Sequence, residues 1–254
     1  MATRKRCYTD FGSLGPSVQN DGTVASGTAG EINLLTMGGI PWEQFIIGTQ
    51  TTLVPSQAAT GVDIVQTDTN GQGMVLTPYS NSAQSPLCFT IGGPAFFAEL
   101  EVLVTDTDGC RLMFGFHGGA AGSAIQGHQA VAAFGDYTDL ALIGQYAGGT
   151  MAFYTQQCIN DTAPTDTDTT IDPADTTKTV WKLRVNVSAA GVVSYALSTA
   201  ATATPTTFTS QSITSPAAQT FDDTDIVVPM ILTTCHTNTA SNIILRKFTC
   251  GFQD

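Results

Sequence analysis

Residues 179–198 read TVWKLRVNVSAAGVVSYALS. From Val180 to Val187 the residues alternate without interruption. Val180, Lys182, Arg184 and Asn186 fall on one side, and Trp181, Leu183, Val185 and Val187 on the other. A period of two belongs to the pleated strand, and a helix cannot hold it. SAAG at 188–191 is a turn, after which VVSYALS takes up the extended pattern again. This hairpin carries one apolar face, and that face requires a second layer to cover it.

The rest of the chain repeats the arrangement. GVDIVQT (61–67) and GMVLTPY (73–79) flank DTNG at 68–71, an Asn-Gly turn signal. PAFFAELEVLV (94–104) and CRLMFGFHG (110–118) flank DTDG at 106–109, which predicts a second hairpin. DLALIGQYA (139–147) and TMAFYTQQ (150–157) flank Gly148 and Gly149, which predict a third. TTFTSQSI, IVVPMILTT and NIILRKFTCGF complete the series. GGIPWEQFIIGT (38–49) fits a short strand or one helical turn around Trp42 and Phe45. Regular strands at this spacing predict an all-β sandwich or jelly roll, as one domain over 31–254 and most regular from about residue 86. Residues 1–30 read as an extended N-terminal arm. Two further stretches depart from the pattern: a glycine-rich loop with a short helix near its end (118–135), and an acidic loop (158–178).

FDDTDIVVPMILTT (221–234) joins an aspartate-rich turn to an apolar run that suits burial on both faces. Pro229 has no N–H for the ladder, so it predicts a sheet edge or a bulge.

Composition narrows the function classes. Only 12% of residues are charged and the net charge is −12, which argues against nucleic acid as partner. Three of the nine bases, Arg4, Lys5 and Arg6, open the chain. They read either as a solvated terminus or as a contact to an acidic partner. No apolar run approaches the roughly 20 residues that span a bilayer, and no apolar segment follows the basic start as in a secretory signal. The six cysteines, Cys7, Cys88, Cys110, Cys158, Cys235 and Cys250, form no CxxC pair and suit buried reduced thiols rather than a disulfide or zinc framework.

Five segments in order carry a resemblance: FTIGGPAFFAE (89–99), YTDLALI (137–143), KLRVNVSAAGVVSY (182–195), FDDTDIVVPMI (221–231) and FTCGF (248–252). Over about two-thirds of its length the chain resembles tailed-bacteriophage virion structural proteins with a concanavalin-like jelly roll. It departs from their pattern at Met230-Ile231, where aromatics often follow the proline, and at Phe248, where tryptophan is usual. The resemblance implies a concanavalin-like sandwich and a structural role in a virus particle. The expected function is capsid decoration or cement, made in the host cytoplasm and placed on the capsid surface. Its partner would be the major capsid protein, contacted as a homo-oligomer, a trimer at local symmetry axes, with Arg4, Lys5 and Arg6 reaching a neighbour. The alternative is a carbohydrate-binding, lectin-like module of a tail or head fibre, with a glycan held by the loops at 118–135 and 158–178.

No catalytic set is complete. Glu99 and Glu101 lie two apart on one strand face, as glycoside hydrolase carboxylates do, but the next position on that face is Leu103. A solvated strand face explains both. His117, His128 and His236 lack metal spacing and, near glycine-rich loops, suit solvent or backbone partners. Aspartate clusters are the candidates for Ca²⁺: Asp106 with Asp108; Asp166 and Asp168 with Asp172 and Asp175; and Asp222, Asp223 and Asp225. None matches an EF-hand loop, and turn formation accounts for each. The sequons NDT (160–162) and NVS (186–188) read as chance matches without export. No other cofactor is expected.

Overall fold

A computed structural model describes residues 6–10, 19–20, 32–37, 40–47, 55–58, 60–65, 71–78, 87–104, 110–119, 137–145, 152–160, 162–172, 179–202, 205–235 and 242–253. The side chains of 6–10, 19–20, 32–35, 57, 65, 110, 119, 179 and 242 are excepted. Every described element is a β-strand, and every pairing is antiparallel.

The strands form two sheets. The first runs β16 (Thr209–Ser210), β15 (Val193–Ala200), β14 (Thr179–Val187), β9 (Phe96–Val104), β18 (Asn242–Phe252), β6 (Gly61–Val65) and β5 (Ser56–Ala58), with β1 (Arg6–Asp10) also on β18. The second runs β13 (Thr165–Asp168), β12 (Phe153–Cys158), β11 (Asp139–Gln145), β10 (Cys110–Gly119), β17 (Ile226–Cys235), β7 (Gly73–Pro78), β4 (Ile40–Ile47), β3 (Ile32–Met37) and β2 (Gln19–Asn20), with β8 (Phe89–Thr90) also on β17.

Rings from opposite sheets lock the layers together. Phe248 of the first sheet meets Trp42 and Phe114 of the second edge-on, at 5.1 and 6.3 Å between centroids. Trp181 meets Phe153 at 4.6 Å, and Phe96 meets Phe116 at 5.2 Å. Edge-to-face pairs add about 0.5–1.5 kcal/mol beyond the area they bury. As the alternation of 180–187 predicted, Trp181, Leu183, Val185 and Val187 are all in this core. The outer face of the second sheet is buried too, around Met113, Leu140, Leu142, Met230 and Leu232. That is why IVVPMILTT shows no alternation.

Pro229 lies on neither an edge strand nor a bulge. β17 is central, with β10 along its whole length. Cys235 turns its N–H and C=O toward residues 71 and 72, and the Asp225 C=O accepts from Ile91 on the same side. Alternation along the strand turns the Pro229 nitrogen that way as well. There β8 pairs only as far as Val227, and β7 begins at Ile231. Among the described residues, the missing donor faces the gap between two neighbours.

Two of the expected hairpins are crossings between sheets. β6 and β7, on either side of DTNG, belong to different sheets, and so do β9 and β10 beside DTDG. The hairpins β11–β12 and β14–β15 form as expected. In the second, Gly191 takes φ +79° and bonds back to Ser188, so SAAG is a tight turn. The segment 38–49 holds a strand, β4. The acidic stretch 158–178 contains β13, whose Thr165–Asp168 extend the second sheet beyond β12. Within 1–30, the Arg6–Asp10 and Gln19–Asn20 strands each extend one sheet. The helix expected near 127–135 lies outside the described residues.

Gly144 of β11 stands opposite Met113, and a Cβ there would strike the Leu112 carbonyl. Gly144→Ala is expected to lower stability by about 1–3 kcal/mol. Urea denaturation checks this, and an unchanged midpoint would mean that β10 and β11 stand farther apart.

Candidate functional site

At one end of the second sheet, three chain segments meet. β11 starts with Asp139, β12 runs out into a turn at Ile159 and Asn160, and FDDTD leads into β17. The aspartate turn is held by the first sheet as well as by its own. Val193 N–H bonds the Gln219 carbonyl and Phe221 N–H the Gly191 carbonyl, while Ile91 N–H bonds the Asp225 carbonyl at 2.9 Å. Gly92, at φ +84°, lies against the Asp223 carboxylate, leaving no space for a Cβ. Thr224 sits at φ +77° and Asn160 at φ +51°. Asparagine tolerates the left-handed region, but a β-branched threonine there is strained.

These backbone shapes gather carboxylates. Asp139 is 1% exposed and Asp225 7%. Asn160 joins two of the segments: its N–H donates to Asp139 Oδ1 (3.1 Å), and its Nδ2 donates to Asp222 Oδ2 (2.8 Å). Asp225 Oδ2 is buried without a hydrogen-bond partner. Burial raises the Asp139 carboxyl above the ordinary range; the negative charges of Asp225 and Asp222 add to this, and the Asn160 N–H offsets part. Asp225 is raised by burial and then by Asp222. The ion pairs of Arg184, Arg246 and Lys247 lie on the first sheet.

Beside the carboxylates lies a cleft of about 230 Å³, lined by residues 157–159, Thr162, Thr165 and residues 217–220. Its floor is braced by a polar chain between the sheets. Gln157 Nε2 donates to Tyr195 Oη, Tyr195 donates to Gln219 Oε1, and Gln219 Nε2 donates to the Leu140 and Cys158 carbonyls. Burial raises the Tyr195 hydroxyl well above its ordinary range, so it stays a donor. No lining side chain is ionisable except the Cys158 thiol, which donates to the Thr162 carbonyl at 2.9 Å.

Of the sequence-nominated residues, Asp222, Asp223 and Asp225 are brought to this site. Asp166 and Asp168 are not. Asp166 accepts from Gln156 Nε2 at 2.6 Å and Asp168 from the Thr170 N–H at 2.7 Å, so both are exposed strand and turn residues. Asp139 and Asn160 were missed, because an aspartate opening a strand and an asparagine in a sequon carry no binding signal alone. Asp106, Asp108, Asp175, Arg4, Lys5, His128 and His236 lie outside the described residues; Arg6 begins β1, opposite Gly251. Among the described residues, no three His, Cys, Asp or Glu side chains converge on one metal position.

His117, expected in solvent or on a backbone partner, is 1% exposed, its ring edge-on to Tyr137. Glu101, expected on a solvated strand face, is instead buried, 3.3 Å from Arg246 and 3.9 Å from Lys247. A register shift between Leu245 and Lys247 lets both consecutive bases reach it. Glu99 pairs with Arg184 at 3.3 Å. Cys158, Cys235 and Cys250 are buried, as expected of structural thiols.

No family model matches the chain, and no curated protein does. Solved structures match in fold. The potassium-bound carbohydrate recognition domain of Emp46p aligns with a TM-score of 0.52 at 10% identity, over 82% of this chain and 87% of that one. A protein of unknown function from Shewanella oneidensis MR-1 aligns with a TM-score of 0.51 at 13% identity, over 99% and 87%. The exoplasmic domain of VIP36, bound to Ca²⁺ and mannobiose (Man2), aligns at 0.49 and 9% identity, over 84% and 81%. The fold is therefore a lectin-like, concanavalin-type β-sandwich.

Asp139 and Asp225 have folded-state pKa values above their unfolded ones, so their ionisation costs stability at neutral pH. That cost is absent below the unfolded value near 3.8 and grows as pH rises toward the folded value. Asp225→Asn is expected to stabilise the metal-free protein at neutral pH, with the advantage vanishing below about pH 4. Urea denaturation across that range checks it; a variant weaker at every pH would show that the carboxylate is otherwise satisfied.

Proposed function

We propose that the chain is a non-catalytic carbohydrate-binding module that holds one neutral sugar ring in the cleft between residues 157–165 and 217–220. The cleft carries this reading. At about 230 Å³ it is below the range of drug-sized pockets and suits a single ring. Its Thr162, Thr165 and Thr220 side chains and the nearby Asp222 carboxylate offer donors and acceptors to sugar hydroxyls. With no base among its described lining residues and carboxylates at its end, it disfavours acidic sugars. The Emp46p likeness supports the reading by analogy of fold, since that domain recognises carbohydrate. The ion-paired Glu99 and Glu101 support a role without catalysis.

Ala218 lines the cleft and is exposed, so a bulky residue there blocks the site without entering the core. Ala218→Arg is expected to weaken retention on immobilised neutral glycans at least about tenfold, roughly 1.4 kcal/mol, with the melting temperature unchanged. Equal retention of parent and variant, or none by the parent, overturns the reading.

A virion role as a capsid decoration protein on the major capsid protein is compatible with it. One observation bears on that second reading: β1, which begins at Arg6, lies along β18 of the first sheet. Removal of residues 1–5 is expected to abolish saturable co-sedimentation with stripped capsids while leaving glycan retention intact. Unchanged capsid binding removes the basic start from the interface.

A further inference from the structure

We propose that Cys110 and Cys235 form a redox pair, closed to a disulfide by a low-molecular-weight disulfide such as oxidised glutathione. Strand register carries this. Cys110 of β10 stands directly opposite Cys235 of β17, and Cys7 of β1 stands opposite Cys250 of β18. The chain has only six cysteines in 254 residues. Of the five on described strands, four face another cysteine and Cys158 faces Leu140. A buried thiol packs as a small apolar group, so packing gives cysteines this sparse no reason to face each other twice. Their wide spacing along the chain hides the pairs, because the sheet register makes them.

Backbone hydrogen bonds separate the two pairs. Cys235 turns its N–H and C=O to residues 72 and 71, away from β10. Cys110 and Cys235 are therefore a non-hydrogen-bonded pair, the kind in which opposite Cβ atoms come closest, about 4.5 Å apart. A disulfide needs Cβ atoms about 3.5–4.5 Å apart, so a small shift closes this pair. Gln253 N–H bonds the Ala95 carbonyl, and alternation along β18 turns the Cys250 N–H and C=O toward β1. Cys7 and Cys250 are thus a hydrogen-bonded pair, with Cβ atoms about 5.5 Å apart, and close only with strain.

The chain passes from the first sheet to the second between Val104 and Cys110, and back to the first between Cys235 and Asn242. A Cys110–Cys235 bond ties both crossings at one end of the sandwich and closes a loop from β10 to β17. Long closed loops remove the most freedom from the unfolded chain. Cys235 is fully buried, but Cys110 begins its strand and Cys235 ends its own, so attack starts where these strand ends open. One cysteine thiolate attacks the reagent's disulfide, forming a mixed disulfide and releasing one reagent thiol. The second thiolate attacks the mixed disulfide and releases the other. The two protein sulfurs are oxidised, the two reagent sulfurs are reduced, and the protein's two protons end on the reagent thiols. In a reducing compartment the pair stays open, and outside it the pair closes.

The test uses the full chain, refolded from urea in mixtures of oxidised and reduced glutathione, then alkylated and digested. Peptides joined through Cys110 and Cys235 are expected at a lower fraction of oxidised glutathione than peptides joined through Cys7 and Cys250. Cys7→Ser leaves the proposed pair alone. In urea its oxidised form is expected to unfold with an equilibrium constant at least about tenfold smaller than its reduced form. The double variant Cys7→Ser, Cys110→Ser should show no such difference. If that variant does not fold, peptide mapping of Cys7→Ser decides instead. Cys110 and Cys235 alkylated in every mixture, a Cys7–Cys250 link that forms first, or links to Cys88 or Cys158 in their place overturns the pair. A Cys7→Ser protein equally stable oxidised and reduced overturns it too.

Discussion

The sandwich depends on two central strands, β17 and β18, whose second sides are each shared by two shorter strands. β17 has β10 along one side, and β8 then β7 along the other. β18 has β9 along one side, and β6 then β1 along the other. Among the described residues, a short stretch of each strand has no strand opposite it on that side, and a buried N–H left without a partner would be costly. In β17 that place holds Pro229, which has no N–H. In β18 it holds Arg246, where the register shifts and two bases turn toward Glu101. Each irregularity sits where regular pairing has already stopped, so neither breaks a hydrogen bond that the sheet would otherwise have made. The aromatic pairs then clamp the sheets together.

This arrangement explains what the sequence made legible. The face of 180–187 and the SAAG hairpin were readable because period and turn agree within one short segment. The double burial of IVVPMILTT was readable from its unbroken apolar run. The Asn-Gly and Asp-Gly turns at 68–71 and 106–109 misled because a tight turn reverses the chain whether it returns to its own sheet or crosses to the other. Which of these happens is decided by the partners of β6, β7, β9 and β10, all distant in sequence. Pro229 was read correctly as a missing donor but placed wrongly. A gap inside a central strand comes from the lengths of β7 and β8, which no local signal carries.

At the candidate site, the aspartates of 222–225 could be picked out from composition, yet Asp166 and Asp168 had the same credentials. What separates them is burial and company. Asp166 and Asp168 find donors at an exposed edge, where a carboxylate costs little. Asp225 is carried inward just before β17, and Asp139 is carried to the same end of the sheet by the β11–β12 hairpin, with β10 between them. Proximity between residues 86 positions apart is a product of topology, so the pair could not be seen along the chain.

Three costs therefore fall within one small region: a threonine in the left-handed backbone at 224, two like charges out of water, and a carboxylate oxygen without a donor. Any one of them is tolerable in a domain with a core of this size. An asparagine at 225 would remove the like charge with almost no change of shape, so packing alone gives no reason for the aspartate. Next to these groups, Gln157, Tyr195 and Gln219 join their polar atoms in a chain between the sheets. Local rules broken together next to a cleft are the pattern expected of a binding site.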